Sequence, residues 1–112
     1  MACKPGDLLL IPFPYSDLQS TKKRPVMVLT PPDRHEDFIG LAITSVEHKQ
    51  AALQIGTANL IHGTLPKPCR VRFDKVFTLS ESSIVKTFGG VSPQTIQAVL
   101  QGLCSVVGYA RT

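Results

Sequence analysis

The stretch GDLLLIPFPYSDLQSTKKRPVMVLT, residues 6–30, holds two short apolar runs separated by a polar, basic segment. The runs are DLLLIPF (7–13) and PVMVLT (25–30), and Gly, Pro, Ser and Asp flank them. Continuous apolar runs of this length between turn residues are typical of buried β-strands. Because Pro12 and Pro14 cannot donate ladder hydrogen bonds, the first strand must end there or lie at a sheet edge.

The segments that follow continue the β pattern. FIGLAITSV (38–46) resembles a strand in which Gly40 permits a bulge or a close backbone approach, and AALQIG (51–56) is a weaker alternating segment. TANLIHGTLPKP (57–68) is rich in turn residues, so we predict a loop there.

CRVRFDKVFTL (69–79) alternates with a period of two, as a strand with two different faces does. One face carries apolar side chains and the other carries charged ones: Cys69, Val71 and Phe73 against Arg70, Arg72 and Asp74. Past Lys75 the apolar positions change phase, which predicts a bend or bulge.

A helix is predicted only at the C-terminal end of the sequence. Ser92 is a suitable N-cap, Pro93 suits the first turn, and apolar residues recur at helical spacing: Ile96, Val99, Leu100, Leu103 and Val107. SESSIVK (80–86) is compatible with one short helical turn. Several short strands followed by a helix predict a mainly β fold, a small barrel or half-barrel of antiparallel strands.

Composition narrows the class of protein. At 112 residues, with 43% hydrophobic and 18% charged residues, the chain is expected to form one globular domain spanning 1–112. No apolar run approaches the roughly 20 residues that cross a bilayer, so we expect no membrane partner. A net charge of +4 favours an anionic partner.

Three widely spaced cysteines argue against a disulfide framework and favour a reducing, cytoplasmic compartment. No local pattern of Cys or His predicts a metal site.

Polar residues that chemistry could use occur at three places: Arg24 before one strand, Thr44-Ser45 at the end of another, and Arg72 with Asp74 on a third. A carboxylate can accept a proton while guanidinium groups neutralise a phosphate. The alternative is structural: Arg72 and Asp74 would form a surface ion pair worth under ~1 kcal/mol, and Lys22-Lys23-Arg24 would be a solvated loop.

In sequence order, these segments resemble the PemK/MazF family of type II toxins. The resemblance is carried by the G-D dipeptide and its strand, the R-P dipeptide before PVMVLT, the T-S ending of FIGLAITS, the R-x-D pattern in VRFDKVFTL, and GGVSPQTIQAVLQGL before and within the helix. It runs over residues 6–103, nearly the whole chain.

This resemblance implies an SH3-like barrel with a C-terminal helix, a homodimer, and an endoribonuclease that cuts single-stranded RNA without metal or other cofactor. It further implies attack of the substrate's 2′-hydroxyl on the adjacent phosphate, and a cognate antitoxin as partner. Matched residue by residue, Arg24 would contact the scissile phosphate or act as the acid, and Thr44 and Ser45 would bind and position that phosphate. Asp74 would be the general base, and Arg72 the acid or phosphate stabiliser. Because a guanidinium gives up its proton poorly, we prefer electrostatic stabilisation for the arginines.

Further residues near these positions are expected to bind RNA: Lys22, Lys23, Ser45, Arg70, Lys75 and Tyr15. Arginine and lysine would contact the backbone, and Tyr15 could stack on a base. The alternative function is a non-catalytic SH3-like binding module, or a toxin that poisons gyrase by protein–protein contact, since a fold does not fix a function.

Overall fold

The computed structural model describes residues 3–12, 23–46 and 51–109, which form one antiparallel sheet and a C-terminal helix. Within these ranges the strands are β1 (Asp7–Pro12), β2 (Lys23–Val28), β3 (Asp37–Thr44), β4 (Ala52–Ile55), β5 (Leu60–Gly63), β6 (Cys69–Ser80) and β7 (Lys86–Val91). Helix α1 spans Pro93–Val106, and single 3₁₀ turns cover Thr57–Asn59 and Glu81–Ser83.

The order of the strands requires the sheet to curl. Neighbouring strands run β4-β6-β3-β2-β1-β7-β5, so β4 and β5 lie at opposite edges. Yet only residues 56–59 separate β4 from β5 along the chain. Five Cα steps reach at most about 18 Å, so the two edges must come close together. This confirms the predicted half-barrel of antiparallel strands with a terminal helix.

Most predicted elements are present, with shifted ends. β1 spans Asp7–Pro12, and Pro12 still pairs with Lys23 of β2. Phe13 and Pro14 lie outside the described residues, so the predicted end of this strand stays a prediction. The predicted helical turn in SESSIVK is the 3₁₀ turn Glu81–Ser83. Ser92 caps α1, and its Oγ accepts a hydrogen bond from the Thr95 N–H at 3.2 Å.

The predicted loop at 57–68 is wrong over its first half. It contains the 3₁₀ turn Thr57–Asn59 and strand β5, which pairs with β7, a strand that we did not predict because of Gly89 and Gly90. A Cβ at Gly63 would collide with the backbone of Phe88 and Gly89, so this glycine allows β5 to approach β7. Pairing with a neighbouring strand here overrides the local preference of turn-forming residues.

Hydrophobic clusters lie on both faces of the sheet. The first joins β1, β2, β3, β4, β6 and β7 to α1 and includes Met27, Leu41, Val71, Phe73 and Val99. The second joins β1, β2, β3 and β6 on the other face and comprises Leu9, Ile11, Val26, Val28, Phe38, Leu79 and Cys3. Helix α1 therefore covers one face of the sheet, and the second cluster lies on the opposite face, which the helix does not cover.

Gly102 lets α1 rest directly on β6. A Cβ at this position would collide with the ring of Phe73, which is almost fully buried in the first cluster. The helix thus holds the Phe73 ring, and with it the segment of β6 between Arg72 and Asp74.

Among the residues described, no helix has both the length and the apolar character of a membrane span.

We predict that Gly102→Ala destabilises the protein. Overpacking a buried site costs about 1–3 kcal/mol, and the better helix propensity of Ala returns roughly 1 kcal/mol of this. A net loss near 1 kcal/mol should appear in urea unfolding followed by circular dichroism. Gly56→Ala is the matched control, because Gly56 has an extended backbone and a Cβ there meets nothing within 4 Å. Equal or greater stability of Gly102→Ala would show that Phe73 is not held by the helix.

Candidate phosphate-binding site

One face of the sheet changes from apolar to polar toward one end of β2 and β3. Val26 and Val28 on β2, and Phe38 on β3, belong to the second hydrophobic cluster. Side chains two residues apart in a strand share a face, so Arg24 and Thr44 extend this same face beyond the cluster. Arg24 is exposed and Thr44 is half-buried, which leaves both polar groups accessible.

Four residues form a row across neighbouring strands. Arg70 on β6 lies directly opposite Thr44 on β3 and opposite Gln54 on β4. The register Val26↔Ala42, continued by two residues in each strand, brings Arg24 on β2 to the level of Thr44. We call Arg24, Thr44, Arg70 and Gln54 the polar row. With strands about 4.8 Å apart, it extends roughly 14 Å across β2, β3, β6 and β4.

A bulge in β6 lies beside the polar row. Along β3, the pairs Ile43↔Val71 and Leu41↔Val76 are two residues apart, whereas along β6 they are five apart, so β6 carries three extra residues. An odd number of extra residues reverses which side chains face the second cluster. The phase change predicted in this segment is confirmed, and the extra residues fall between Val71 and Val76, where Arg72 and Asp74 lie.

Arg72 and Asp74 form a bidentate ion pair within this bulge. Arg72 Nε donates to Asp74 Oδ1 at 3.0 Å, and Arg72 Nη2 donates to Asp74 Oδ2 at 2.8 Å. The side chains are 23% and 36% exposed, respectively, so solvent screens the pair in part. The pair that was the structural alternative is therefore present, and it sits on the same face as the polar row.

The remaining polar groups of the site are hydrogen-bond donors. Thr44 Oγ1 accepts the Val46 N–H at 3.1 Å, and its own hydroxyl proton can be donated to an anionic oxygen. Arg70 Nη2 donates to Gln54 Oε1 at 3.1 Å. Lys75 is exposed in the bulge; Lys23 is also exposed, but the alternation of β2 puts its side chain on the face opposite Arg24. Cations and hydroxyls on one face, with a single carboxylate among them, suit a phosphate ester.

The structure brings together most of the residues that the sequence singled out. Arg24, Thr44, Arg70, Arg72 and Asp74 share one face. Ser45 is exposed directly after β3, and Lys75 is exposed in the bulge. Lys22 and Tyr15 lie outside the described residues, so their expected RNA contacts stay predictions.

Sequence reasoning missed Gln54, because no motif surrounds it. Its place opposite Arg70 follows only from the register of β4 with β6. The alternation of Gln54 between Leu53 and Ile55, which pack on the other face, was the one local indication.

Shifted pKa values occur away from the polar row. Burial, with Glu81 nearby, raises the pKa of the Cys3 thiol, and the Cys3 N–H donates to Glu81 Oε2 at 3.0 Å. Backbone N–H groups of Asp37 and His35 lower the pKa of Asp33 in the turn between β2 and β3. Both groups organise local structure. In the described part of the chain, no three His, Cys, Asp or Glu side chains are grouped to hold a metal ion.

Solved structures of similar fold cover nearly the whole chain. "Endoribonuclease from Mycobacterial species" matches with a TM-score of 0.76 and 16% identity, over 100% of this chain and 97% of that one. "Endoribonuclease in complex with its cognate antitoxin from Mycobacterial species" gives 0.73 and 17%, over 99% and 100%. MazF from Deinococcus radiodurans gives 0.72 and 18%, over 96% and 98%. At these identities the similarity is one of fold.

The sequence itself carries a family match. Comparison with curated proteins finds no matching relative. A family model described as PemK-like, MazF-like toxin of type II toxin-antitoxin system matches residues 4–107, which include every strand and the helix. The chain therefore belongs to the PemK-like, MazF-like toxins of type II toxin–antitoxin systems.

Proposed function

We propose that this toxin is an endoribonuclease that cleaves single-stranded RNA without a metal ion. The observation that carries the proposal is the shared face of Arg24, Thr44, Arg70 and the Arg72–Asp74 pair. A pure binding module needs no carboxylate set among phosphate-binding groups. The fold similarity to proteins named endoribonucleases supports the same conclusion.

Arg24 and Thr44 bind the scissile phosphate in this proposal. Arg24 is exposed at the start of β2 and supplies the positive charge. Thr44 is fixed by its hydrogen bond from Val46, so its hydroxyl proton can point at a phosphate oxygen with little loss of side-chain freedom. Charge that builds on the phosphate in the transition state is then met by groups already in place.

Asp74 takes the proton from the attacking 2′-hydroxyl. In the free protein both of its oxygens accept hydrogen bonds from Arg72. An incoming phosphate competes for the Arg72 guanidinium, and the carboxylate, which can accept more than one hydrogen bond at each oxygen, accepts the 2′-hydroxyl. Binding of the substrate therefore prepares the base.

The reaction balances without an additional reagent. The 2′-oxygen forms a bond to phosphorus, the P–O5′ bond breaks, and the products carry a 2′,3′-cyclic phosphate and a 5′-hydroxyl. Asp74 takes the proton from the 2′-hydroxyl, and water, which reaches this exposed face, protonates the departing O5′. The hydroxide left behind takes the proton from Asp74, which restores the carboxylate. Arg72 stays charged throughout and stabilises the phosphate, because a guanidinium does not give up its proton near neutral pH.

The partners in this proposal are single-stranded RNA, a cognate antitoxin and a second copy of the chain, in the cytoplasm, with residues 1–112 acting as one domain. A similar structure named as an endoribonuclease with its cognate antitoxin supports the antitoxin. An acidic, partly disordered antitoxin segment that folds on binding would suit the cationic face.

Arg24→Ala should abolish cleavage. In EDTA, with a fluorogenic single-stranded RNA, we expect the rate to fall at least about 100-fold because a charged phosphate contact is lost. Arg34→Ala is the matched control, because Arg34 is an exposed arginine in the turn at the opposite end of β2. This substitution removes the same charge at a distance where salt screens it, so the cleavage rate should change by less than about 2-fold. Intact RNA after incubation with folded wild-type protein would reject the nuclease and favour a binding module.

Asp74→Asn and Arg72→Gln should separate chemistry from binding. We expect Asp74→Asn to lower the cleavage rate by about 10²–10⁴-fold, as loss of a general base does, while an RNA blocked by a 2′-O-methyl group binds at least as well as to wild type. Arg72→Gln should weaken binding of the blocked RNA, measured by fluorescence anisotropy. Retention of cleavage in Asp74→Asn would assign the proton transfer to another group.

The cognate antitoxin should compete with RNA for the polar row. We expect it to displace the blocked RNA, and Arg70→Glu to weaken its binding at least about 10-fold through like-charge repulsion. Arg34→Glu supplies the same charge change away from the row and should leave affinity within about 2-fold. A ternary complex of toxin, antitoxin and blocked RNA in size-exclusion chromatography would place the two sites apart.

A further inference from the structure

Two arginines on β6 have different partners. Arg72 uses Nε and Nη2 on the Asp74 carboxylate, which neutralises its charge. Arg70, two residues away on the same face, donates Nη2 to the neutral carboxamide of Gln54 at 3.1 Å. Arg70 therefore keeps its positive charge and is oriented by a partner that does not compete as an anion.

The position of this second pair is set by the sheet. Arg70 and Gln54 are directly opposite one another on β6 and β4, and Arg70 is also directly opposite Thr44 on β3. Gln54 is exposed and Arg70 is half-buried. With strands about 4.8 Å apart, the pair lies roughly 5–10 Å from Thr44, about one nucleotide away from a phosphate held there.

A guanidinium held in this way matches the edge of one base. Guanine presents two adjacent acceptors, O6 and N7, to which an arginine donates two hydrogen bonds. Arg70 has five N–H donors, of which Gln54 takes one. Adenine is read by a carboxamide that accepts from N6 and donates to N7. Because Gln54 Oε1 already accepts from Arg70, the pair presents donors, which suit guanine better than adenine.

We infer that Arg70 and Gln54 form a base-reading subsite that selects guanine in the nucleotide next to the scissile phosphate. Arg70 contacts O6 and N7, and Gln54 is a positioning residue that holds the guanidinium in plane. This inference rests on the proposed ribonuclease function, since it names the base beside the phosphate at which that reaction occurs.

The test begins with cut sites. Wild-type protein is incubated with a mixed-sequence RNA, and sequencing of the product ends should show guanine next to the cleaved bond. Oligonucleotides carrying one such site then receive adenine, inosine or 7-deazaguanine in place of that guanine. Inosine keeps O6 and N7 and should be cut within about 2-fold of guanine, whereas adenine and 7-deazaguanine should be cut about 5- to 150-fold more slowly.

Variants test the two residues separately. The ratio of guanine to adenine cleavage should fall to near 1 in Arg70→Ala and at least 3-fold in Gln54→Ala, relative to wild type. Gln54→Glu keeps an acceptor for Arg70 and should retain the ratio, although its charge slows both substrates. Gln94→Ala, a glutamine exposed on α1 across the sheet, is the control and should leave the ratio unchanged. A ratio unaffected by Arg70→Ala or Gln54→Ala overturns the assignment.

The outcomes also separate this inference from the nuclease proposal. Cleavage without guanine beside the cut overturns the subsite and leaves the nuclease standing. If folded wild-type protein cuts nothing, the nuclease fails, and anisotropy with 2′-O-methyl RNA decides the subsite: tighter binding of guanine than of 7-deazaguanine supports it, and equal binding rejects it.

Discussion

The contact between Phe73 and α1 fixes the chemistry-bearing part of β6. Phe73 lies between Arg72 and Asp74, and its ring fills the space that Gly102 leaves open on the helix. Adjacent residues of a strand point to opposite faces, so burying Phe73 under the helix directs its two neighbours to the other side. The Arg72–Asp74 ion pair therefore depends on a packing contact on the opposite face of the sheet. The two charged residues do not set their own direction.

The sequence predicted the elements whose physical causes are local. Apolar runs between turn residues identified β1, β2 and β3, and Ser92 identified the start of α1. β5 and β7 were missed because their pairing is long-range. Glycine and turn residues form strands there because Gly63 lets the backbone of β5 lie close to that of β7, a relation that becomes visible once the sheet has curled.

The residues of the candidate site also divide into those that local sequence could identify and one that depends on long-range strand pairing. Arg24, Thr44, Arg72 and Asp74 were singled out by their places in the predicted strands, and the resemblance to family motifs gave them roles. The period of β6 correctly put Arg70 and Arg72 on one face. The bidentate pairing of Arg72 with Asp74 was one of two alternatives that the sequence left open. Gln54 could not be found, because its relation to Arg70, sixteen residues away in the chain, is a matter of register between β4 and β6.

The Arg72–Asp74 pair also bears on how salt acts on this protein. A cation that binds a nucleic acid gains free energy from the counterions it releases, and for single strands log K falls with log[salt] by about 0.7 per phosphate neutralised. Arg72 and Asp74 together carry no net charge into the complex, so the pair adds nothing to that slope. Among the described residues, Arg24 and Lys75 set it. The thermodynamic charge of the binding face is therefore smaller than its count of basic residues, because one of its arginines enters the complex already neutralised.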